Sequence, residues 1–138
     1  MINLNNKGQS LVMFVLIIPI LFLVIVLVFD VGNALIEKQE LDNINYLTIE
    51  YGLEHMNEIE IESKMKNIIT KNNNKIKDID IIIEEDKIKL TIKKNINGIF
   101  IKNLNLVKIE SKYTGYIKDG KKVIERVWCY GKYCRKNN

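Results

Sequence analysis

The sequence contains few of the residues on which catalytic and metal sites are commonly built. Its 138 residues include one histidine, two cysteines and one proline. No nucleophile has a partner base at a recognisable spacing, no glycine-rich loop is suited to cradling a phosphate, and only His55 is available to complete a metal-ligand set with the cysteines. We therefore expect no catalytic residue, no metal site and no cofactor, and the sequence does not predict an enzyme.

Charged and hydrogen-bonding side chains are absent from residues 11–29. A helix of this length covers about 28 Å, close to the roughly 30 Å of a hydrocarbon core. Pro19 frees the carbonyl of Val15, a defect that membrane helices tolerate when neighbouring groups cover it. The run predicts a transmembrane helix. A cleavable secretory signal is the alternative, although its apolar core usually covers only about 7–15 residues.

The charges on either side of the run predict its orientation. Lys7 precedes it, whereas Asp30 and Glu37 follow it. Because cytoplasmic flanks carry the excess of lysine and arginine, we expect a single-pass protein of the cell membrane with a cytoplasmic N-terminus and an extracytoplasmic C-terminal domain. The predicted division is a leader over residues 1–8, a transmembrane helix over 9–29, an extracytoplasmic helical stalk over 30–74 and an antiparallel β domain with a basic tail over 75–138.

Apolar residues beyond the span recur at helical spacing. They predict that the span continues as a helix past the membrane surface, with Gly52 as a candidate interruption. A second apolar stripe predicts another helix from about Asn57 to the asparagines at 72–74. His55 is expected to be exposed on a helix. The first stripe consists of Val31, Ala34, Leu35, Leu41, Ile44, Leu47 and Tyr51.

The spacing of the apolar residues then changes from a helical period to a period of two residues. A period of two is typical of half-buried strands. Residues 79–83 and 88–92 alternate in this way on either side of an acidic turn and predict a hairpin. Residues 95–105 are expected to form a loop or a short helical crossover. Asp119 and Gly120 then predict a tight turn between two further strands, because both positions of such a turn need a positive φ. The expected fold is α+β, with the long N-terminal helix packed on an antiparallel sheet of about four strands.

The net charge of +4 is unevenly distributed. Residues 30–70 hold nine acidic and three basic side chains, whereas residues 118–138 hold seven basic and two acidic ones. The two regions could attract one another within a molecule or between stacked copies, or they could simply form a solvated surface. No nucleic-acid partner is predicted, because the basic residues lie in no recognisable reader motif.

Cys129 and Cys134 enclose a short segment near the C-terminus. A disulfide between them is expected if the domain is exported to an oxidising compartment. Two reduced thiols or a metal site are the alternatives.

The N-terminal region resembles that of the TadE/TadG-like proteins of the tight-adherence (Flp) pilus system, which are similar to minor pilins and pseudopilins. The resemblance rests on residues 7–19 with Pro19, on Asp30-Val31-Gly32 and on residues 39–43. It implies that a prepilin peptidase cuts after Gly8, where an unhindered extended backbone would suit a protease, and leaves Gln9 as the mature N-terminus. It also implies an assembly helix containing Met13, Phe14, Pro19, Asp30 and Gly32.

One position departs from the family pattern. Met13 stands directly before Phe14, where family members usually carry a glutamate that is thought to neutralise the free amine of a neighbouring subunit. The resemblance implies a structural or assembly component of a pilus or secretion machine. Its implied partners are other pilin-like subunits, a prepilin peptidase, inner-membrane platform proteins with a secretion ATPase, and membrane lipid. The alternative is an unprocessed single-pass anchor that displays an extracytoplasmic binding domain.

Overall fold

The computed structural model describes residues 6–96, 108–130 and 133–136, and within them the side chains at 8, 10–96 and 108–127. Two helices precede five strands. The predicted crossover at residues 95–105 falls largely outside the described residues. The elements are α1 (Asn6–Glu54), α2 (Ile61–Asn72), β1 (Asp78–Glu84), β2 (Lys87–Asn95), β3 (Lys108–Lys118), β4 (Lys121–Tyr130) and β5 (Tyr133–Lys136).

Helix α1 is one continuous helix of 49 residues. At 1.5 Å per residue it is about 73 Å long, and Pro19 lies inside it. Its first half is the one stretch in the described part of the chain that is long and apolar enough to cross a membrane. The predicted continuation of the span beyond the membrane surface is therefore present as an unbroken helix.

The strands form an antiparallel sheet in sequence order, β1-β2-β3-β4-β5. The predicted hairpin pairs Ile81 with Leu90, and the predicted turn has φ values of 52° at Asp119 and 72° at Gly120. The short strand β5 adds to the four that the alternation indicated. The α+β fold with a long N-terminal helix on an antiparallel sheet is confirmed.

The core lies between one face of the sheet and the second half of α1, together with α2. Its centre consists of Leu41 and Ile49 from α1 and of Ile88, Leu90 and Ile92 from β2, all at most 1% exposed. Gly115 on β3 permits this close approach, because a Cβ atom there would lie 2.3 Å from Cγ2 of Ile49. The glycine thus sets the distance between α1 and the sheet.

Strand β3 runs in the same direction as α1. Its residue Ser111 contacts Asn45, and its later residue Gly115 lies against Ile49 and Leu53. The end of β2 and the start of β3 consequently lie nearest the span, and we call Lys94, Asn95 and Lys108 the span-proximal end of the sheet. The turn at Asp119 and Gly120 lies at the opposite end.

Two local expectations differ from the structure. Helix α2 begins at Ile61 rather than near Asn57, because residues 55–60 form turns between the two helices. His55 was expected to be an exposed helical residue, but it follows the end of α1 and is half-buried. Its ring stacks on Tyr51 with the centroids 4.2 Å apart, and its Nδ1 lies 3.0 Å from the Tyr51 carbonyl oxygen.

Candidate functional site

The site residues that the sequence indicated on α1 are spread along the helix and are not gathered in a pocket. Met13 and Phe14 are exposed, and Pro19 lies within the apolar run. Gly8 is exposed too, but it is helical, so the extended backbone expected there is absent. A helix presents such a row as a surface for another helix or for lipid, not as a reactive centre.

The apolar surface of α1 does not stop where the charged residues begin. Leu35 is 61% exposed and Leu47 is 58% exposed, values close to those of the side chains inside the span. Beyond the span, the exposed large apolar side chains of α1 are Val31, Leu35, Ile36, Tyr46 and Leu47, and we call these five residues the outer face of α1. Exposed polar residues at 39, 40 and 43 separate its two patches. None of the five is covered by the described part of the sheet, so the outer face is available to a neighbour.

Asp30 and Gly32 differ in their surroundings, although both belong to the motif that follows the span. Asp30 is only 1% exposed and takes part in a polar or electrostatic interaction. Among the described residues, by contrast, nothing lies within 4 Å of a Cβ atom added at Gly32. Packing within the described chain therefore explains a small residue at Gly115 but not at Gly32.

A row of polar side chains fixes α1 to the sheet. Asn45 is fully buried, and its amide donates to the carbonyl oxygens of Ser111, at 2.9 Å, and Leu90, at 3.3 Å. The Ser111 hydroxyl donates in turn to the Asp42 carboxylate at 2.7 Å. Because a buried amide is costly without partners, these bonds favour one rotational setting of α1 on the sheet.

The same row continues to β4. Arg126 pairs with Asp42 at 2.6 Å, and Lys38 reaches the other oxygen of that carboxylate at 2.8 Å. Tyr113 lies beside them. Its pKa is raised mainly by its burial and further by the nearby negative charge of Asp42. We call Lys38, Asp42, Asn45, Ser111 and Arg126 the polar seam. The sequence did not predict the polar seam; its signal there is Asn45, a polar residue directly after the apolar-stripe residue Ile44.

A second ionic contact holds the span-proximal end of the sheet against α1. Lys94 on β2 is buried and pairs with Glu37, while Glu40 lies 3.9 Å away. The Asn73 amide donates to Glu40 at 2.8 Å, which connects the end of α2 to the same turn of α1. These contacts hold the sheet and the end of α2 against the part of α1 that follows the apolar run.

Three exposed ion pairs lie on other parts of the surface. Lys122 hydrogen-bonds Glu54 and lowers its pKa, Lys64 does the same to Glu58, and Lys89 does so to Glu84. The pairs join α1 to β4, the inter-helix turn to α2, and β1 to β2. Much of the acidic charge in the region beyond the span is therefore already matched by lysines of the same chain.

The backbone register sets Cys129 directly opposite Cys134 across the β4–β5 pair. Neighbouring positions on antiparallel strands have Cα atoms roughly 4.5–5.5 Å apart, which is compatible with a disulfide. The side chains of both residues lie outside the described set, so the disulfide stays a prediction. Alkylation and mass spectrometry of protein isolated without reductant would test it: two modifiable thiols would contradict it.

The described residues contain no group of three or more histidine, cysteine, aspartate or glutamate side chains that could hold a metal ion. Three clefts in that part of the chain are open and are lined largely by charged and polar side chains. The features with the clearest functional content are thus the apolar surface of α1 and the way the domain is fixed to that helix.

Comparison with known families agrees with the N-terminal resemblance. A family model described as TadE-like protein matches residues 8–44 of the sequence. These residues cover the apolar run and the start of the domain. The resemblance to the TadE/TadG-like family is confirmed over those residues. This family is structural and pilus-associated and is not known for enzymatic activity. No curated protein and no solved structure matches the chain.

Proposed function

We propose that the protein is a minor pilin or pseudopilin of a tight-adherence pilus or a related secretion machine. The observation that carries the proposal is the outer face of α1, which exposes apolar side chains beyond the span in two patches, at residues 31–36 and 46–47. Large apolar side chains exposed together beyond the hydrocarbon region favour burial against another protein. A second pilin-like helix, apolar along the same length, fits both the lipid-embedded and the exposed part.

The proposed topology has the N-terminus in the cytoplasm and the sheet outside the membrane. The lysine before the span and the acidic residues after it support this orientation. Intact cells carrying a single engineered thiol would be treated with a labelling reagent that cannot cross the membrane, in a background where Cys129 and Cys134 are replaced by serine. Lys118→Cys should be labelled and Asn5→Cys should not. The reverse pattern would contradict the proposal.

Processing by a prepilin peptidase after Gly8 would produce a mature chain that begins at Gln9. Gly8 lies within α1, and glycine lowers helix stability by about 1 kcal/mol relative to alanine. This property favours the local unwinding that proteolysis needs. N-terminal sequencing should find Gln9 in the wild type, and Gly8→Val should accumulate uncut in the membrane. An intact Met1 in cells with an active peptidase would exclude processing.

A substitution at Met13 can distinguish between two versions of the proposal, a filament subunit and a component that stays in the membrane. If the absence of a carboxylate limits polymerisation, Met13→Glu should increase incorporation into sheared surface filaments, since the new charge could pair with a neighbour's amine. Val12→Glu is the matched control, because it adds the same charge about 100° away around the helix. Equal effects of the two variants would remove the specific role of position 13.

The proposed partners are other pilin-like subunits, a prepilin peptidase, and the inner-membrane platform with its secretion ATPase. The second candidate function is an unprocessed anchor that displays a binding domain, and Met13 at the usual glutamate position is the observation that favours it. An anchor of this kind should keep residues 1–8 and remain in the membrane in a strain that lacks the peptidase. Its surface display should also be independent of the peptidase.

A further inference from the structure

The span-proximal end of the sheet carries a basic cleft of about 550 Å³. It lies between the segment that enters β1, the end of β2 and the start of β3. Five of its eight lining residues are lysines and one is acidic, so the lining has a strong excess of positive charge. The lining residues are Asn74, Lys75, Lys77, Asp78, Lys93, Lys94, Asn95 and Lys108.

The acidic side chains around the cleft do not neutralise all of these lysines. Lys94 is matched by Glu37, Lys93 lies 3.8 Å from Glu110, and Lys108 lies 3.9 Å from Asp78, the last two at the edge of ion-pair range. Lys75 and Lys77 are exposed, and within the described residues neither side chain has an ion pair. Two cationic groups therefore remain available to an anion in the cleft.

The position of the cleft relative to the span narrows the choice of anion. Lys94 pairs with Glu37, which follows Phe29, the last residue of the apolar run, by eight positions. This separation corresponds to about 12 Å along the helix. The polar layer of a bilayer adds roughly 5–8 Å outside the hydrocarbon, and charges interact over a Debye length of about 8 Å at physiological salt. Headgroup phosphates of the spanned membrane thus lie within reach of the cleft.

We propose that the basic cleft binds the phosphate headgroups of anionic lipids in the membrane that α1 spans. The inference rests on the proposed function to the extent that α1 must be in a bilayer. Lys75 and Lys77 would contact the phosphate, and Lys108 would add to the positive field. Basic residues next to a membrane-spanning helix are attracted to anionic lipids in this way, and the bound headgroups would restrict the tilt of the domain on the membrane.

A second copy of the chain is the competing occupant, since the region beyond the span is rich in acidic residues. Most of its carboxylates are engaged, however: Glu37, Asp42, Glu54, Glu58 and Glu62 each pair with a lysine or arginine of their own chain. An acidic region whose carboxylates are mostly paired offers little charge to a neighbour, whereas lipid phosphates lie next to the span whenever α1 is in a bilayer. Lipid is therefore the occupant favoured by the charge distribution.

The test compares lipid retention by two charge-matched variants of the full chain. Lys75→Gln/Lys77→Gln removes the two unmatched lysines, and Lys118→Gln/Lys121→Gln removes two exposed lysines beside the turn at the far end of the sheet. Lys118 follows Lys108 by ten positions along β3, which places that end about 33 Å away from the cleft. Each protein is purified in detergent and titrated with phosphatidylglycerol or phosphatidylcholine, and bound lipid is counted by native mass spectrometry.

We expect the wild type and the Lys118→Gln/Lys121→Gln control to retain phosphatidylglycerol in preference to phosphatidylcholine. Lys75→Gln/Lys77→Gln should bind phosphatidylglycerol roughly thirty-fold more weakly, the effect of losing two lysines close to an anionic surface. Glycerol 3-phosphate tests the free headgroup as a competitor of phosphatidylglycerol. Weak competition supports a lipid site. Full displacement of phosphatidylglycerol at equal concentration would mean that the cleft takes a soluble phosphate and would overturn the proposal.

Two further results would overturn the proposal. Equal phosphatidylglycerol retention by all three proteins would show that the cleft does not select lipid, and a loss of dimers in Lys75→Gln/Lys77→Gln without loss of lipid would assign the cleft to a second copy. Flotation with phosphatidylcholine vesicles distinguishes these results from failure of the proposed function. A chain that floats but lacks a preference for anionic lipid refutes only the cleft, whereas a chain that does not float refutes the anchor.

Discussion

Both halves of α1 expose apolar side chains, but those side chains have different surroundings. In the first half apolar side chains are exposed around the helix, as at Leu21, which is 55% exposed. In the second half Leu41 is 1% exposed against the sheet, while Leu47, on the opposite side, is 58% exposed. An exposed leucine therefore has two different settings: in the first half it lies in a run apolar enough to cross a membrane, and in the second half it lies beside a folded domain.

The largest expected effect comes from removing a buried leucine of the second half. Leu41→Ala should lower the free energy of unfolding of the domain by about 2–5 kcal/mol, because it removes apolar contacts and leaves a cavity between α1 and the sheet. Leu47→Ala should change it by less than about 0.5 kcal/mol. Urea unfolding of the full chain in detergent, followed by circular dichroism, measures both. Equal losses would mean that Leu47 is packed within the chain.

A charge distinguishes the two exposed surfaces from one another. Leu21→Arg should make membrane insertion about 3 kcal/mol less favourable, because it places a guanidinium near the centre of the bilayer. Leu47→Arg has a similarly exposed starting residue and should leave insertion unchanged. The inserted fraction in a glycosylation-mapping assay measures the difference. A loss of insertion with Leu47→Arg would extend the lipid-contacting part of α1 to that position.

Two glycines, one on the sheet and one on α1, provide a smaller contrast. Gly115→Ala should destabilise the domain by about 1–3 kcal/mol, because its new methyl group would overlap Ile49 and force α1 away from β3. Gly32→Ala has no neighbour to displace within the described residues, so it should leave the domain unchanged or stabilise α1 by up to about 1 kcal/mol. Thermal unfolding would compare them, and a destabilised Gly32→Ala would indicate packing inside the chain.

The smallest effect concerns the exposed ion pairs of the second half. The pKa values of Glu54, Glu58 and Glu84 are lowered from the ordinary value of 4.5, so their contribution to stability is present above pH 4.5 and is lost as the pH falls through the lower folded-state values. Lys122→Met should therefore lower Tm slightly at pH 6, and the difference should shrink as the pH falls below 4.5. Lys118→Met, whose lysine has no ion pair among the described residues, is the control. A Tm difference that does not shrink on acidification would contradict the linkage.

Periodicity predicted the elements of this fold better than their contacts. The apolar run, the alternating strands and the Asp119-Gly120 turn each follow from local rules, and the structure contains all three. The face of α1 that packs on the sheet did not follow, since Leu47 belongs to the predicted apolar stripe but is exposed. Asn45 lies on the face of α1 that packs on the sheet and helps to fix it there. Its hydrogen-bond partners on β2 and β3 are distant in sequence and cannot be inferred from spacing along the helix.

In the candidate site, too, a feature made of consecutive residues was predicted, whereas features made of residues distant in sequence were not. The motif at the end of the span was visible because its residues are consecutive along the chain, and the family match covers it. The polar seam and the basic cleft were not predicted, because each collects side chains from three or more elements. Lysines at positions 75, 77, 93, 94 and 108 appear in the sequence as ordinary solvated charges, and only the strand register brings them to one end of the sheet.

The continuity of α1 determines how mechanical force reaches the domain. The described helix runs from Asn6 to Glu54, and contacts from Glu37 to Lys94 and from Asp42 to Arg126 join it to the sheet. A helix in a bilayer tilts by about 20° on average, and over the roughly 36 Å of α1 beyond Phe29 such a tilt moves the far end sideways by about 12 Å. The helix therefore acts as a lever: a pull on the span reorients the domain as a unit instead of stretching a flexible tether.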